Sequence, residues 1–455
     1  MPYSFVGVQT IYLATHFNPI YWNCACLIVN SGSLEIDDEV DIEDEEEKKD
    51  KKKTATDYSK IAKAMGDMQS KGIKISLVDI NKSGYSFKPD VENNQILFGM
   101  KAMLNISDET VETIINNRPY VSIKDFMEKT HLTKQPMISL IKGGAFDNMM
   151  ERKTCMAWYL WQTCDKKKRI TLQNMSGLLK YGLVPFDTEQ RQEAYKVYEF
   201  NRYLKANCKV NASLFKLDDR GIDFLTKIGY DQLIEDDFSL NAKKWDNVYQ
   251  KYMDVFRAWI ASDKDNILQS LNEKIFMEDW VKYAQGNISS WEMEALCFYY
   301  HEHELSHVNK EKYGFEDFDK LPEEPEVDRT FVRNGKEINL FKLHKICGTC
   351  IAKNKTKGSV SILTTSGVVN VRFRKEYFSL FDKQISERQP DGTKKVREKS
   401  WFNRGSMIAV TGIRSGDDFI PKKYASTIGH QLYKIISIDN KGDLVLQTER
   451  YNGGY

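Results

Sequence analysis

The feature that most constrains this chain is a change of rhythm. Through the first two thirds, apolar residues recur at helical spacing, as in 57–71 (DYSKIAKAMGDMQSK), where Ile61, Met65 and Met68 share one face and Gly72 stops the helix. From residue 338 to 450 the period becomes two, in short β runs separated by the turn signals Thr365-Ser366-Gly367, Ser415-Gly416-Asp417 and Asp439-Asn440-Lys441-Gly442. The chain is therefore expected to be multidomain α+β, with a mostly helical N-terminal two thirds and a C-terminal all-β domain.

About five short strands carrying basic and aromatic side chains fit a small barrel of the OB type. Charge supports a polyanionic partner for this end. The formal net charge of +1 hides seventeen Lys or Arg against seven acids in residues 345–425. At the other end, residues 35–50 hold eleven acids against two lysines, and 34–56 as a whole reads as a disordered surface loop. The eight cysteines form no dense framework, which points to a reducing cytoplasm. No apolar run approaches the ~20 residues that span a bilayer, and no basic segment of a signal peptide is expected.

Residues 1–30 are apolar and aromatic nearly throughout, so they are expected to be buried on most sides, in a domain whose core partner lies elsewhere. The stretch after Gly72 is β-rich, with a turn at Asn93-Asn94. Residues 99–147 are a run of short helices. Ser107 caps the first, with Val111, Ile114 and Ile115 as its apolar face. Ser122 caps the second, and Pro136 opens a third that Gly143-Gly144 ends. Such helices joined by tight hairpins resemble helix-hairpin-helix units. Residues 150–310 are helical and rich in tryptophan, and 317–337, with two prolines and several acids, reads as a linker.

Residues 301–307, HEHELSH, contain an H-E-x-x-H pattern that on one helix could hold zinc, with the glutamate as base. A capping box at Ser289–Glu292 starts a helix there, with Met293, Leu296 and Tyr300 as its buried stripe. The zinc-peptidase reading fails downstream. Lys310 and Tyr313 stand where a glycine and a third histidine are needed, and the linker follows in place of a second ligand helix.

Tyr3, Gln9, Tyr12, Leu13, His16, Pro19, Tyr21 and Ala25, then Gly72, Ile73, Asp79, Ile80, Asn81 and Ser83, are similar to the fingers of the bacterial replicative DNA polymerase III alpha subunit, the C-family polymerases, and form the first of four blocks that in order resemble its C-terminal half. Gly99, Lys101, Ile114, Ile115, Arg118, Ser122, Asp125, Phe126 and the end Gly144-Ala145-Phe146-Asp147 are similar to its tandem helix-hairpin-helix module. Glu292, Glu294, Leu296, Phe298, Tyr299, His303 and Leu305 resemble the signature before its OB domain. Gly348, Lys357, Gly358, Gly367, Val371 and Phe373, with MIAVTGIRS at 407–415, resemble the OB domain itself. The resemblance implies 1–95 as the end of the fingers, 96–150 as the hairpin module, 151–316 as a helical region, 317–337 as linker and 338–455 as the OB domain.

It also implies roles. Lys101, Asn105, Ser107 and Arg118 would bind duplex DNA, although Asn105-Ile106-Ser107 replaces the family's Gly-hydrophobic-Gly, whose backbone approaches a phosphate. On the barrel, Lys353, Lys355, Lys357, Arg372, Arg374, Lys375 and Arg404 would track the phosphates of a single-stranded template. There Phe373, Tyr377, Trp401 and Phe402 are stacking candidates, with Phe373 expected to point inward. Asn211-Ala212-Ser213-Leu214-Phe215 resembles the sliding-clamp pentapeptide, with Leu214 and Phe215 as the plug. The palm aspartates, and the Mg2+ they would hold, are not expected in this chain, nor is any other cofactor or metal. The isolated chain is thus expected to lack polymerase activity, a separate palm-bearing chain being its partner in a bacterial or phage-infected cell. The alternative reading is a nonenzymatic single-strand-binding or accessory replication protein.

Overall fold

The structure is a computed structural model describing residues 2–17, 19–32, 56–70, 72–389, 394–424 and 430–451. Most of the acidic stretch 34–56 lies outside the described residues. The chain divides into two compact units, residues 1–156 with 286–455, and residues 157–285.

The first unit begins with α1 (Pro2–Tyr12), α2 (Pro19–Ser31) and α3 (Tyr58–Ser70). Ile61, Met65 and Met68 of α3 are buried as their spacing predicts, and α2, which packs on α3, buries Ile20, Cys24 and Leu27. The apolar residues of α1 behave otherwise. Tyr3 is 92% exposed and Phe5 65%, with Val8, Ile11 and Tyr12 also in solvent. Among the described residues of 1–30, burial is thus confined to one face of α2. Next come β1 (Lys74–Ile75), β2 (Lys88–Asp90) and β3 (Gln95–Leu97) in the order β1-β3-β2, with the β2–β3 turn at Asn93-Asn94, where Asn94 takes a φ of 48°.

Helices α4 (Asp108–Asn116), α5 (Ile123–Thr130) and α6 (Lys134–Lys142) form the short-helix run. The hydroxyls of Ser107 and Ser122 accept from the backbone N–H of Thr110 and Asp125, as N-caps should. Val111 and Ile114 are buried, Ile115 only half so. Helix α6 opens two residues before Pro136, with Thr133 at the cap position; proline is tolerated in the first turn because its missing N–H has no intrahelical partner there. Helix α7 (Arg152–Thr163) follows.

The second unit holds α8 (Met175–Lys180), α9 (Glu189–Tyr203), β4 (Leu214–Lys216), α10 (Asp219–Lys227), β5 (Ser239–Asn241), α11 (Ala242–Ser262) and α12 (Lys264–Tyr283). One core gathers Met253, Phe256 and Leu271. A second surrounds Trp245, whose indole N–H donates to Asn201 at 3.1 Å.

Back in the first unit, α13 (Ile288–Leu296) is capped by Asn287, two residues before the expected start, and stops at Cys297, whose φ is +62°. After the short α14 (Lys310–Tyr313), the stretch read as a linker carries an antiparallel hairpin, β6 (Val327–Arg333) with β7 (Lys336–Phe341), turning at Asn334-Gly335. The two prolines lie ahead of it, and Asn-Gly supplies the two positive φ angles of a tight hairpin turn.

The C-terminal domain contains β8 (His344–Asn354), β9 (Ser359–Thr364), β10 (Gly367–Arg372), α15 (Lys375–Asp382), β11 (Ile385–Arg388), β12 (Lys394–Glu398), β13 (Met407–Ser415), β14 (Asp418–Pro421), β15 (Leu432–Ile438) and β16 (Leu444–Gln447). Strand order β14-β10-β9-β8-β13, with β13 pairing back onto β14, closes a five-stranded barrel. β10 and β14 run parallel, and α15 lies between the third and fourth barrel strands in sequence. This is the OB-type fold expected from the period-two tract. All three turn signals fall between consecutive strands. Ile346, Val360, Ile362, Val371, Phe378, Trp401, Ile408 and Phe419 fill the interior. Close approach fixes Gly412, where an added Cβ would lie 2.2 Å from the Ile420 carbonyl oxygen.

Candidate nucleic-acid interface

The barrel residues picked out by sequence separate into three groups. Lys355, Lys357, Arg374 and Lys375 are exposed. Strands β9 and β10 bring them together, since Phe373 N–H donates to Gly358 O at 2.9 Å and the Gly358 Cβ position lies 3.8 Å from Lys375 Cα. Gly358, at φ +65°, lets the lysine loop turn back over the start of α15.

A second group is already paired. Lys353 binds Asp382 at 2.5 Å and Arg372 binds Asp418 at 2.7 Å. Lys355 reaches Asp382 only at 3.7 Å. Burial works against ionisation of Asp382, yet hydrogen bonds from Lys353 and Ser400 prevail and hold its pKa below the ordinary value.

The third group is structural. Trp401 is 0% exposed and Phe402 is buried beside it, so neither can stack a base without opening the barrel. The Trp401 indole N–H instead donates to Glu398 at 2.7 Å. Arg404 donates to the Ile351 carbonyl at 3.1 Å and lies 4.6 Å above the Tyr58 ring. Phe373 points inward as expected, and Tyr377 stays half-exposed.

Sequence reasoning passed over Lys422, Lys423 and Tyr424. With Arg374, Tyr377 and Leu380 they line a groove of about 710 Å³ next to the lysine loop. The signal was present as Pro421-Lys422-Lys423-Tyr424, a basic-aromatic cluster just past a strand.

The hairpin module treats its polar residues differently. Asn105 has a φ of 60°, the conformation a glycine would take, and its amide donates to Ser139 Oγ at 3.2 Å. Ser107 is spent on capping α4, and Lys101 is ion-paired with Asp108 in the first turn of that helix. Arg118 lies beyond the far end of α4. It donates to the carbonyls of Ile80 at 2.6 Å and Ser83 at 2.5 Å, and burial lowers its pKa. The four residues therefore do not converge on one ligand. Arg118 is a strut between the hairpin module and the preceding loop.

The signature block is structural as well. Glu292, fully buried, receives Arg152 at 3.0 Å, the Tyr300 and His301 N–H groups at 2.9 and 3.0 Å, and His301 Nδ1 at 2.6 Å. Arg152 also binds Asp147 and the Lys142 carbonyl, while Lys142 pairs with Glu294. An added Cβ on Gly144 would lie 2.4 Å from Arg152, which explains a glycine there, at φ +81°. Met293 and Leu296 are buried, whereas Tyr300 is exposed because the helix has already ended.

That helix end removes the zinc geometry. His303 Nε2 donates to the Leu363 carbonyl at 2.9 Å, and its Nδ1 accepts from Leu305 N–H at 3.0 Å, so both ring nitrogens are occupied in the neutral form. Burial lowers its pKa to about 4. Glu304 accepts from the Tyr299 hydroxyl, and His307 pairs with Glu302 at the surface. Among the described residues no group of His, Cys, Asp and Glu is arranged to hold a metal ion. Nor is any described helix long and apolar enough to cross a membrane.

In the second unit, Phe215 is buried in the Trp245 core and β4 pairs with β5. Asn211 accepts from Ser213 N–H at 2.9 Å. Phe215 is thus not displayed as a plug, since pairing alternates the strand and turns its ring inward.

A family profile described as "Helix-hairpin-helix motif" matches residues 72–155. The chain is 37% identical, over 99% of its length, to "Probable DNA polymerase YorL" of Bacillus subtilis and to "DNA-directed DNA polymerase" of Bacillus phage SPbeta. It spans 35% of the length of these two relatives. A stretch covering 34% of the chain and 11% of the relative is 29% identical to "DNA polymerase III subunit alpha" of Thermus aquaticus. With hairpin module, signature segment and closed barrel in the expected order, the chain is similar to these DNA polymerases over nearly its whole length, and its architecture is consistent with a C-terminal part of a C-family polymerase.

Proposed function

We propose that this chain is the DNA-holding part of a replicative polymerase. The hairpin module grips duplex DNA and the barrel guides single-stranded template, while a separate palm-bearing chain supplies the two-metal nucleotidyl transfer. The observation that carries the reading is the exposed cluster Lys355, Lys357, Arg374 and Lys375 beside the Lys422–Tyr424 groove, in the same unit as a helix-hairpin-helix module. Cations can follow a phosphate backbone there while Tyr377 and Tyr424 offer ring faces to bases.

The palm-bearing partner is supported by α1. An aromatic helix with Tyr3, Phe5, Val8 and Ile11 in solvent is an apolar surface of the kind that marks a protein contact. The test is reconstitution. The purified chain should bind primed template but extend nothing, and adding a palm-bearing chain should restore extension. Extension by this chain alone would refute the division of labour. Single-strand binding with no capture of a palm-bearing chain would favour an accessory single-strand-binding protein.

A further inference from the structure

Strands β11 and β12 form a ribbon that pairs with no other described strand. Arg388 lies opposite Lys394, Glu387 opposite Lys395 and Ser386 opposite Val396. Alternation therefore puts Arg388 and Lys394 on one face with Val396, and Lys395 and Arg397 on the other. Arg397 is matched to Glu387. Arg388, Lys394 and Lys395 are exposed, and so is Val396 at 44%. A two-stranded ribbon with no apolar face gains little from packing, so what this one presents is charge.

Its root, by contrast, is fixed. Glu398, the last residue of β12, is buried. Its carboxylate accepts from Trp401 Nε1 at 2.7 Å, Gln447 Nε2 at 2.7 Å, Tyr451 N–H at 2.9 Å and Arg450 Nε at 3.2 Å. Arg450 also holds the carbonyls of Leu380 and Phe381. The basic ribbon thus springs, as an arm, from a buried polar network at the end of β12. Residues 385–398 contain no Phe, Tyr or Trp, so the arm has no ring on which an unpaired base could stack. The connection between the strands adds one acid, Asp391.

We infer that the β11–β12 arm is a second DNA contact, specific for double-stranded DNA, with Arg388, Lys394 and Lys395 on phosphates. The major groove, about 12 Å wide, admits a two-stranded ribbon. Phosphate contacts from it set position and carry no sequence preference. The inference rests on the DNA-holding reading and divides it, assigning duplex to the arm and single strand to the barrel groove.

The test uses the full chain with Arg388→Ser, Lys394→Ser and Lys395→Ser combined. Binding to a blunt duplex and to an oligo-dT strand is titrated across salt, with a thermal melt to confirm folding. Each lost duplex phosphate contact flattens the log–log salt dependence by ~0.9, so a loss of about 2 to 3 is expected for the duplex. Oligo-dT affinity should stay within about twofold, because the arm lacks stacking groups. An unchanged duplex slope overturns the arm and leaves the DNA-holding reading in place. An equal loss on both probes also overturns it, making the ribbon a general cationic patch. If the unmodified chain binds neither probe, both readings fall. The reversal Lys394→Glu with Lys395→Glu should deepen the duplex defect without moving the melt.

Discussion

The hairpin module and the barrel are both placed on DNA by family resemblance, yet they deploy polar side chains in opposite ways. In the hairpin module Arg118, Lys101, Ser107 and Arg152 are occupied by carbonyls, caps and carboxylates of the same chain. On the barrel Lys355, Lys357, Arg374 and Lys375 reach into solvent, and strand pairing collects them. The difference teaches that a basic residue matching a DNA-binding family need not itself touch DNA. The hairpin module has committed these side chains to its own fold, while the barrel leaves its cations exposed. The two modes differ in salt dependence and in what a substitution does, so the contrast can be broken by experiment.

The largest effect is expected at Glu292. Removing one member of a buried ion pair leaves the other charge uncompensated, which destabilises by about 3–5 kcal/mol. Glu292→Ala should lower the denaturation midpoint by that margin while the salt slope of whatever remains folded stays unchanged. A variant that melted normally but bound DNA weakly would instead put this network at the interface.

Next comes His303, which tests whether the approach to the barrel is structural too. The folded pKa, about 4, lies below the ordinary 6.5, so the unfolded chain binds more protons between those values. Stability contributed by neutral His303 is complete above pH 6.5 and is lost as pH falls toward 4. At 1.36 kcal/mol for each pH unit, the full loss is at most about 3 kcal/mol. A His303→Gln variant should flatten the stability profile between pH 6.5 and 4. A profile as steep as that of the unmodified chain would assign the dependence to another group.

A smaller effect, in binding rather than stability, is expected from changing Lys355, Lys357, Arg374 and Lys375 together to serine. At ~0.7 per contact on single strands, the salt slope should flatten by up to about 3. The melting midpoint should hold to within about 1 kcal/mol, since these side chains are exposed and the 3.7 Å approach of Lys355 to Asp382 is a weak surface pair. Arg118→Met should do the reverse, lowering the midpoint and sparing the slope. If the two variants behaved alike, the contrast between the regions would collapse.

Period, turn chemistry and capping made the element types legible. Ser107, Ser122, the α3 stripe and all three turns of the C-terminal domain follow from local rules that tertiary context did not override. Side-chain commitment was not legible, because it depends on residues far apart in sequence. Nothing near Arg118 announces the Ile80 carbonyl, and nothing near Trp401 announces that its ring fills the barrel. Helix ends also escaped. Cys297 accepts a left-handed conformation that a glycine would have advertised, so HEHELSH looked like a continuing helix when the chain had already turned. The groove at Lys422–Tyr424 was missed because its partner residues, Arg374 and Tyr377, come together with it only across the parallel β10–β14 pair.

The finest test of the contrast is Asn105. Its φ of 60° places it where a glycine would sit, so Asn105→Gly removes a Cβ from a left-handed position, a gain of up to about 1 kcal/mol. Against that stand glycine's larger unfolded-state entropy and the lost bond to Ser139, each about 0.5–1 kcal/mol. Stability should therefore fall by at most about 2 kcal/mol. If the hairpin works through its backbone, clearing the Cβ lets a phosphate come nearer. Duplex affinity should then rise about two- to threefold with single-strand affinity unchanged. A fall in duplex affinity at constant stability would mean that the Asn105 amide itself holds the phosphate. The hairpin would then bind by side chain as the barrel does, and the contrast between the two regions would be one of degree.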